Sequence, residues 1–284
     1  RGGGRAAIVL SGSPLFNGNA GQGESEIRRY LLEEDVVEAI IALPTEIFFR
    51  TGIGTYIWLL SNKKPAARKG KVQLIDATAL YEPMRKSEGN KRRRVGDDQI
   101  RQIVQMYADF AETKESRLFD SRDFGYRRVK VLRPLRKKIV ISAEGLAALA
   151  DETAWGKLAP EVQIAWTALL EDMMGDEQAW SWVDTWAKEA AKQDSGLGKV
   201  NAALIKAFHK SFGLRDPDLD PVLDKKGEII PDDDLTDFEN IPLGTDIRDY
   251  MAQEVLPHAH DAYVDETFRD DYDGQVGVVG YEIN

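Results

Sequence analysis

The sequence predicts an α/β protein, a sheet covered on both faces in roughly the first eighty residues followed by a mainly helical region. Three observations carry this. Short apolar runs, AAIVL (6–10), VVEAIIAL (36–43), TYIWLL (55–60) and KVQLIDAT (71–78), recur with a helix-like stretch, ESEIRRYLLEED (24–35), between the first two. Runs that are apolar throughout, rather than alternating, fit strands buried on both sides. From about Ala143 onward the pattern changes to the 3.6-residue period of helices.

Composition narrows the function classes. The 284 residues suffice for more than one hydrophobic core. No apolar run approaches the roughly 18 residues of a membrane-spanning helix, and no signal peptide opens the chain. The absence of cysteine rules out disulfides and thiolate metal sites and agrees with a cytoplasmic location. The histidines are His209, His258 and His260; the pair in PHAHDA has no partner cluster, so no metal site is expected. The net charge of −10 is unevenly spread: residues 1–150 carry 27 Lys+Arg against 18 Asp+Glu, and residues 151–284 carry 11 against 30. A basic half suits a polyanion and an acidic half repels one. Two solvated surfaces are the alternative reading.

Each element follows from local pattern. In the first helix Ile27, Tyr30 and Leu31 fall at helical spacing. Residues 85–94, RKSEGNKRRR, hold six basic side chains and no apolar one, which predicts an exposed loop. A helix from about Asp97 to Lys114 places Ile100, Ile103, Val104, Tyr107 and Phe110 on one face. FGYRRVKVLRPLRKKIVIS (124–142) reads as one or two strands with a basic face, bent near Pro134. Helices are expected over EGLAALAD, PEVQIAWTALLEDMM, EQAWSWVDTWAKEAAK and KVNAALIKAFHKSF, with Trp155, Trp166, Trp180, Trp182 and Trp186 as core. The acidic stretch 216–240 reads as a loop with a small hairpin around Lys226 and Gly227; its aspartates lack the spacing of a calcium loop. TDIRDYMAQEVL (245–256) is the last predicted helix.

GNAGQGES (18–25) has the outline of a phosphate loop, with Glu24 where the lysine belongs. A carboxylate there repels phosphate, which argues against a nucleotide hydrolase. The dinucleotide fingerprint also fails, because Glu26 stands where the third glycine belongs. A flexible loop leading into a helix is the simpler reading. No Ser-His-Asp or paired-carboxylate arrangement supports a hydrolase by another route.

GRAAIVLSGSPLF, GESEIRRYLLE, EAIIALPTEIFFRTGIGTYIWLLSN and KVQLIDAT, followed in order by FGYRR with RPLR (124–136) and VGYEI (279–283), resemble the modification subunit of type I restriction–modification systems. Those enzymes methylate the exocyclic amine of adenine in DNA using S-adenosylmethionine. The resemblance implies a partial methyltransferase-type, Rossmann-like sheet. The family's catalytic motif, Asn-Pro-Pro followed by an aromatic, and its cofactor-binding glycine turn do not occur here; in the family both precede the segment matching GGRAAIVL. The chain is therefore expected to be a carboxy-terminal fragment, with no catalytic residue and no cofactor of its own, S-adenosylmethionine being used by the intact subunit.

The resemblance further implies that Phe48 stacks on a target adenine flipped out of the duplex, with Phe49 its neighbour in register. Ordinary core packing is the other reading. Arg50 is a candidate phosphate contact, as are Lys91, Arg92, Arg93 and Arg94 and, in the basic strand, Arg127 and Arg128; each has solvated surface as its alternative. Expected partners are DNA, a specificity subunit, a second modification subunit and, in the full complex, a restriction subunit, with no membrane. The expected organisation is a methyltransferase portion (1–80), a basic connector (81–142) and an acidic helical domain (143–284) that docks other subunits. A non-catalytic nucleic-acid adaptor with a degenerate methyltransferase fold is the competing reading.

Overall fold

The computed structural model describes residues 3–283. The chain forms two units, one of Arg1–Val131, Asp237–His260 and Val264–Asn284, the other of Leu132–Thr236 with Asp261–Tyr263.

The first unit is built on a five-stranded sheet ordered β1-β3-β2-β4-β7, from β1 (Arg5–Ser11), β2 (Val37–Leu43), β3 (Thr55–Ser61), β4 (Lys71–Asp76) and β7 (Ser116–Asp120). β3 runs antiparallel to both β1 and β2, and β2 is parallel to β4. Strands β1, β2 and β4 therefore all point the same way, and their carboxyl ends share one edge. After β1 come a single turn, α1 (Ser13–Phe16), and then α2 (Gly23–Glu33); after β4 come a hairpin, β5 (Glu82–Glu88) and β6 (Lys91–Arg94), and α3 (Asp97–Asp109). One face of the sheet buries Ile40, Trp58 and Val72 with Leu32 of α2; the other buries Ile41, Leu43 and Ile75 with Ile103 of α3. The expected two-sided cover is thus present over the central strands. At the edge strand β1, Ile8 and Val9 are exposed.

Two sequence expectations need correction. In α2, Ile27 and Tyr30 are 60% and 64% exposed, and the buried side chains are Ser25, Arg28, Arg29 and Leu32. The inward face is polar because it meets a strand from the far end of the chain. That strand pairs with β8 (Gly125–Leu132), which also pairs with β12 (Asp237–Pro242). Between β12 and the returning strand lie α9 (Ile247–Tyr250), shorter than the predicted helix and continued by a wider turn over Met251–Val255, and a two-residue strand β13 (Tyr263–Val264). The returning strand itself is β14 (Val278–Tyr281). Arg28 donates from Nε to the Tyr281 carbonyl (2.5 Å) and from Nη1 to the Pro14 carbonyl (2.9 Å). Arg29 pairs through Nη1 with Asp270 Oδ2 (2.8 Å), which also accepts from the Val279 amide (2.9 Å). The second correction is the stretch 85–94: it is a hairpin, not a loop, with Arg94 opposite Glu82 and paired with it at 2.7 Å.

The glycine-rich stretch 18–25 serves the same closure. Gly21 has φ +76°, and a Cβ there would lie 2.7 Å from Val278 Cγ1, so both its backbone and its lack of a side chain are required where β14 passes. Ser25 Oγ accepts from the Tyr281 amide (3.3 Å).

The second unit has α4 (Ala143–Ala150), α5 (Thr153–Gly156), α6 (Pro160–Asp172), α7 (Trp182–Gln193) and α8 (Ala202–Phe212) around a small sheet ordered β10-β9-β11, of β9 (Lys137–Val140), β10 (Glu177–Ala179) and β11 (Gly213–Arg215). The start of the stretch EQAWSWVDTW is thus a strand rather than the first turn of a helix. Ser142 and Asn201 cap α4 and α8 by accepting from the amides of Gly145 and Leu204. The tryptophans pack as core: Trp166 is fully buried against Phe208, its Nε1 donating to the Leu197 carbonyl (2.8 Å), and Trp182 stacks on Trp186 with centroids 4.4 Å apart. The small hairpin expected near Gly227 is present, with Leu223 bridged to Ile229. Among the described residues no helix is long and apolar enough to cross a membrane, and no group of His, Asp and Glu is arranged to hold a metal ion.

The buried pair of Arg29 and Asp270 yields a stability prediction. Burial works against the Asp270 charge, but the Val279 amide, Arg29 and the Tyr272 and Asp273 amides outweigh it and hold the carboxyl below its usual range. Breaking such a pair costs roughly 3 kcal/mol. Asp270→Asn should lose about that much in urea unfolding at neutral pH. A carboxyl with a lowered folded value contributes above its unfolded value and loses that contribution as the pH falls through the folded one. The deficit of Asp270→Asn should therefore shrink below about pH 4; a deficit constant down to pH 2 would show that charge is not the cause.

Candidate nucleic-acid interface

Loops that leave the carboxyl ends of parallel strands are where open α/β sheets place ligand-contacting residues. In the first unit that edge carries α1, the segment after β2 (residues 44–54) and, after β4, the β5–β6 hairpin. The sequence-predicted residues Phe48, Phe49 and Arg50 lie on the second of these, and Lys91, Arg92, Arg93 and Arg94 on the third.

The structure brings these two groups together. The Glu46 carbonyl accepts from the Arg92 and Arg93 amides (2.9 and 3.1 Å), and the Phe49 carbonyl accepts from the Asn90 amide (3.1 Å). The Glu46 carboxylate faces both arginines, at 3.9 Å from Arg92 Nε and 3.5 Å from Arg93 Nε. Arg93 further donates to Thr45 Oγ1 (3.0 Å) and lies over the Tyr81 ring at 4.2 Å. Neither phenylalanine is core: Phe48 is 38% exposed and Phe49 59%. Two aromatic faces with a basic hairpin beside them form the combination that binds unpaired bases and the adjoining phosphates.

The basic side chains differ in availability. Arg93 is held by Thr45, Glu46 and Tyr81, and Arg94 by Glu82. Arg92 has only the long contact to Glu46, and no ion pair is found for Lys91 or Arg50 among the described residues. Lys91, Arg92 and Arg50 are therefore the cations most free to meet phosphate. Arg127 and Arg128 stand apart from this cluster on β8. Arg127 binds Asp273 (Nη2 to Oδ2, 2.5 Å) and the Gly277 carbonyl (3.0 Å); Arg128 lies over the Phe238 ring at 4.6 Å. Sequence reasoning missed Glu46, Thr45 and Tyr81. The signal for Glu46 is conformational, a non-glycine residue at φ +62°, and is invisible in composition.

A cleft of about 480 Å³ opens at the same edge, walled by Phe16, Ala42, Tyr56, Leu74, Asp76 and Lys114 among others; Phe48 and Phe49 are not part of its lining. The Asp76 carboxyl at the end of β4 is held below its usual range by the Thr78 hydroxyl and amide.

The first unit is thus an α/β sheet whose carboxyl-edge loops carry exposed aromatics and cations. Residues 1–123 match the family model described as N-6 DNA Methylase. Similar proteins are the type I restriction enzyme MjaVII methylase subunit of Methanocaldococcus jannaschii, 31% identical over 133 residues (47% of this chain, 20% of that protein), and the HindI methylase subunit of Haemophilus influenzae, 36% identical over 77 residues (27% of this chain, 16% of that protein). The matched segment thus spans about a fifth or less of those relatives. Among solved structures, the type I restriction-modification system methyltransferase subunit from Streptococcus thermophilus aligns at a TM-score of 0.37 and 31% identity, over 43% of this chain and 24% of that one.

The division between free and engaged cations predicts different behaviour. Neutralising Lys91 and Arg92 together (Lys91→Gln, Arg92→Gln) should lower the slope of log binding constant against log salt for duplex DNA by about 1.8, at roughly 0.9 per phosphate contact, with folding unaffected. Arg127→Ala should instead destabilise the fold by about 1–3 kcal/mol through the loss of a half-buried charged hydrogen bond. Slopes read from binding titrations between low and moderate salt check the first, and urea unfolding checks the second.

Proposed function

We propose that this chain is part of the modification subunit of a type I restriction–modification system, an S-adenosylmethionine-dependent N6-adenine DNA methyltransferase acting in the cytoplasm. The N-6 DNA Methylase match over residues 1–123 and the methylase names of the relatives support this reading. The methyl donor and the catalytic groups belong to parts of the intact subunit other than the residues described here. The chain's own contribution is to receive DNA: Phe48, with Phe49 beside it, stacks on the adenine turned out of the duplex, and Lys91, Arg92 and Arg50 contact the backbone next to it. The observation that carries this reading is the joining of an exposed aromatic pair to a basic hairpin by main-chain hydrogen bonds at the carboxyl edge of the sheet.

The acidic stretch 151–284, with 11 basic against 30 acidic residues, repels DNA and suits protein contacts. In the proposed complex it meets the specificity subunit and a second modification subunit, with the restriction subunit joining the full assembly.

Phe48→Ala in the complete subunit tests the base-stacking role. Loss of one base–aromatic stack is worth about 1–3 kcal/mol, which is roughly 5- to 150-fold in the population of the flipped base. Methylation should fall within that range, and the fluorescence of 2-aminopurine at the target position should drop. Wild-type methylation with unchanged fluorescence would reject the role, and retained DNA binding without methylation in the wild-type subunit would favour a non-catalytic adaptor.

A further inference from the structure

We propose that the β5–β6 hairpin is a positioning device for the aromatic loop, and that Gly89, Asn90 and Glu46, with Arg93 on the Glu46 carboxylate, perform this role rather than Lys91; the inference rests on the base-stacking reading of Phe48 and Phe49. The segment from Thr45 to Gly54 is irregular, and within it the backbone is braced by a single bridge between Phe48 and Thr51. Ile47 packs on the core and Thr51 Oγ1 accepts from the Ile53 amide (3.3 Å); the other main-chain ties come from the hairpin. Both ends of the stretch Glu46–Phe49 are tied to it by main-chain bonds: the Glu46 carbonyl takes the Arg92 and Arg93 amides, and the Phe49 carbonyl takes the Asn90 amide.

Two backbone features mark these ties as built. Glu46 adopts φ +62°, a conformation costly for a side-chain-bearing residue, and it is held there by the two amides on its carbonyl and the two arginines around its carboxylate. Gly89 adopts φ +61° at the hairpin tip, and a Cβ there would lie 2.8 Å from the Phe49 carbonyl oxygen. Only glycine lets the tip approach closely enough for Asn90 to bond the same oxygen. The tip thus sets where the Phe49 carbonyl lies, and with it the directions of both rings. The hairpin's positive charge and its positioning role are then separable: Lys91 serves the first, with no side-chain hydrogen bond or ion pair to the loop among the described residues, while Gly89 carries no charge and serves the second.

The test uses the complete subunit with Gly89→Val, Arg93→Ala, Lys91→Gln and Phe48→Ala. Gly89→Val keeps every charge, so the salt slope of DNA binding should stay at the wild-type value. Amide exchange over residues 47–53 should accelerate about tenfold or more, target 2-aminopurine fluorescence should fall, and kcat should fall about tenfold with KM within about twofold, as for a displaced reacting partner. Arg93→Ala, which removes the Thr45 and Glu46 side-chain contacts and leaves the tip intact, should shift exchange and fluorescence in the same direction by less. Lys91→Gln should lower the salt slope alone. Wild-type exchange over 47–53 in both Gly89→Val and Arg93→Ala would overturn the positioning role. Accelerated exchange together with a Phe48→Ala variant of wild-type activity would uphold the positioning role and reject the base-stacking reading instead.

Discussion

Two consecutive arginines close the first unit. Arg28, 1% exposed, and Arg29 occupy the inner face of α2, where an amphipathic helix ordinarily places leucine or isoleucine. Burial depresses the Arg28 pKa, and the charge survives because a guanidinium titrates far above neutral pH and two carbonyls, of Pro14 and Tyr281, receive its protons. Arg29 finds its counter-charge in Asp270, which in turn holds the Val279 amide. Through these bonds the helix that follows β1 fixes a strand more than two hundred residues away in sequence. Around it the Tyr281 hydroxyl, buried beside Glu33, is pushed up to about 12 and stays protonated. The geometry of α1, α2 and the glycine-rich turn between them follows from this clamp, and so does the closed face of the sheet.

The candidate interface depends on a simpler constraint. Because β3 is inserted antiparallel between β1 and β2, strands β1, β2 and β4 keep a common direction, and the connections leaving them emerge side by side. The aromatic loop and the basic hairpin lie forty residues apart in sequence yet share three main-chain hydrogen bonds. Two exposed aromatic rings and a set of basic side chains are thereby held in one place without either being part of the hydrophobic core.

Much of this was legible in the sequence, for identifiable reasons. The strands of the main sheet are readable because their burial on both faces demands predominantly apolar runs such as VEAIIAL, whose one charge, Glu38, is buried against Arg5 and Arg68. The tryptophan-rich helices were readable because their period matches their packing. The inner face of α2 was not, since Arg28 and Arg29 are buried by partners at Tyr281 and Asp270 that no local pattern announces. The hairpin reads as a loop in sequence because KSEGNKRRR contains no apolar residue; its strands are held by cross-strand charge pairing and by the Glu46 carbonyl, not by burial. Phe48 and Phe49 are singled out by family resemblance alone; what the structure adds is that both rings are exposed rather than core. Glu46 was not legible at all, as a left-handed glutamate is a property of the assembled loop.

Nucleic acid is proposed to meet this protein at the carboxyl edge of the first sheet. Photo-crosslinking the complete subunit to a duplex bearing 5-iodouracil beside the target adenine, with the modified peptides mapped by mass spectrometry, addresses it most directly. Crosslinks are expected within residues 46–52 and 88–93. Crosslinks confined to the acidic helices between 143 and 212, with none at the aromatic loop or the hairpin, would contradict it.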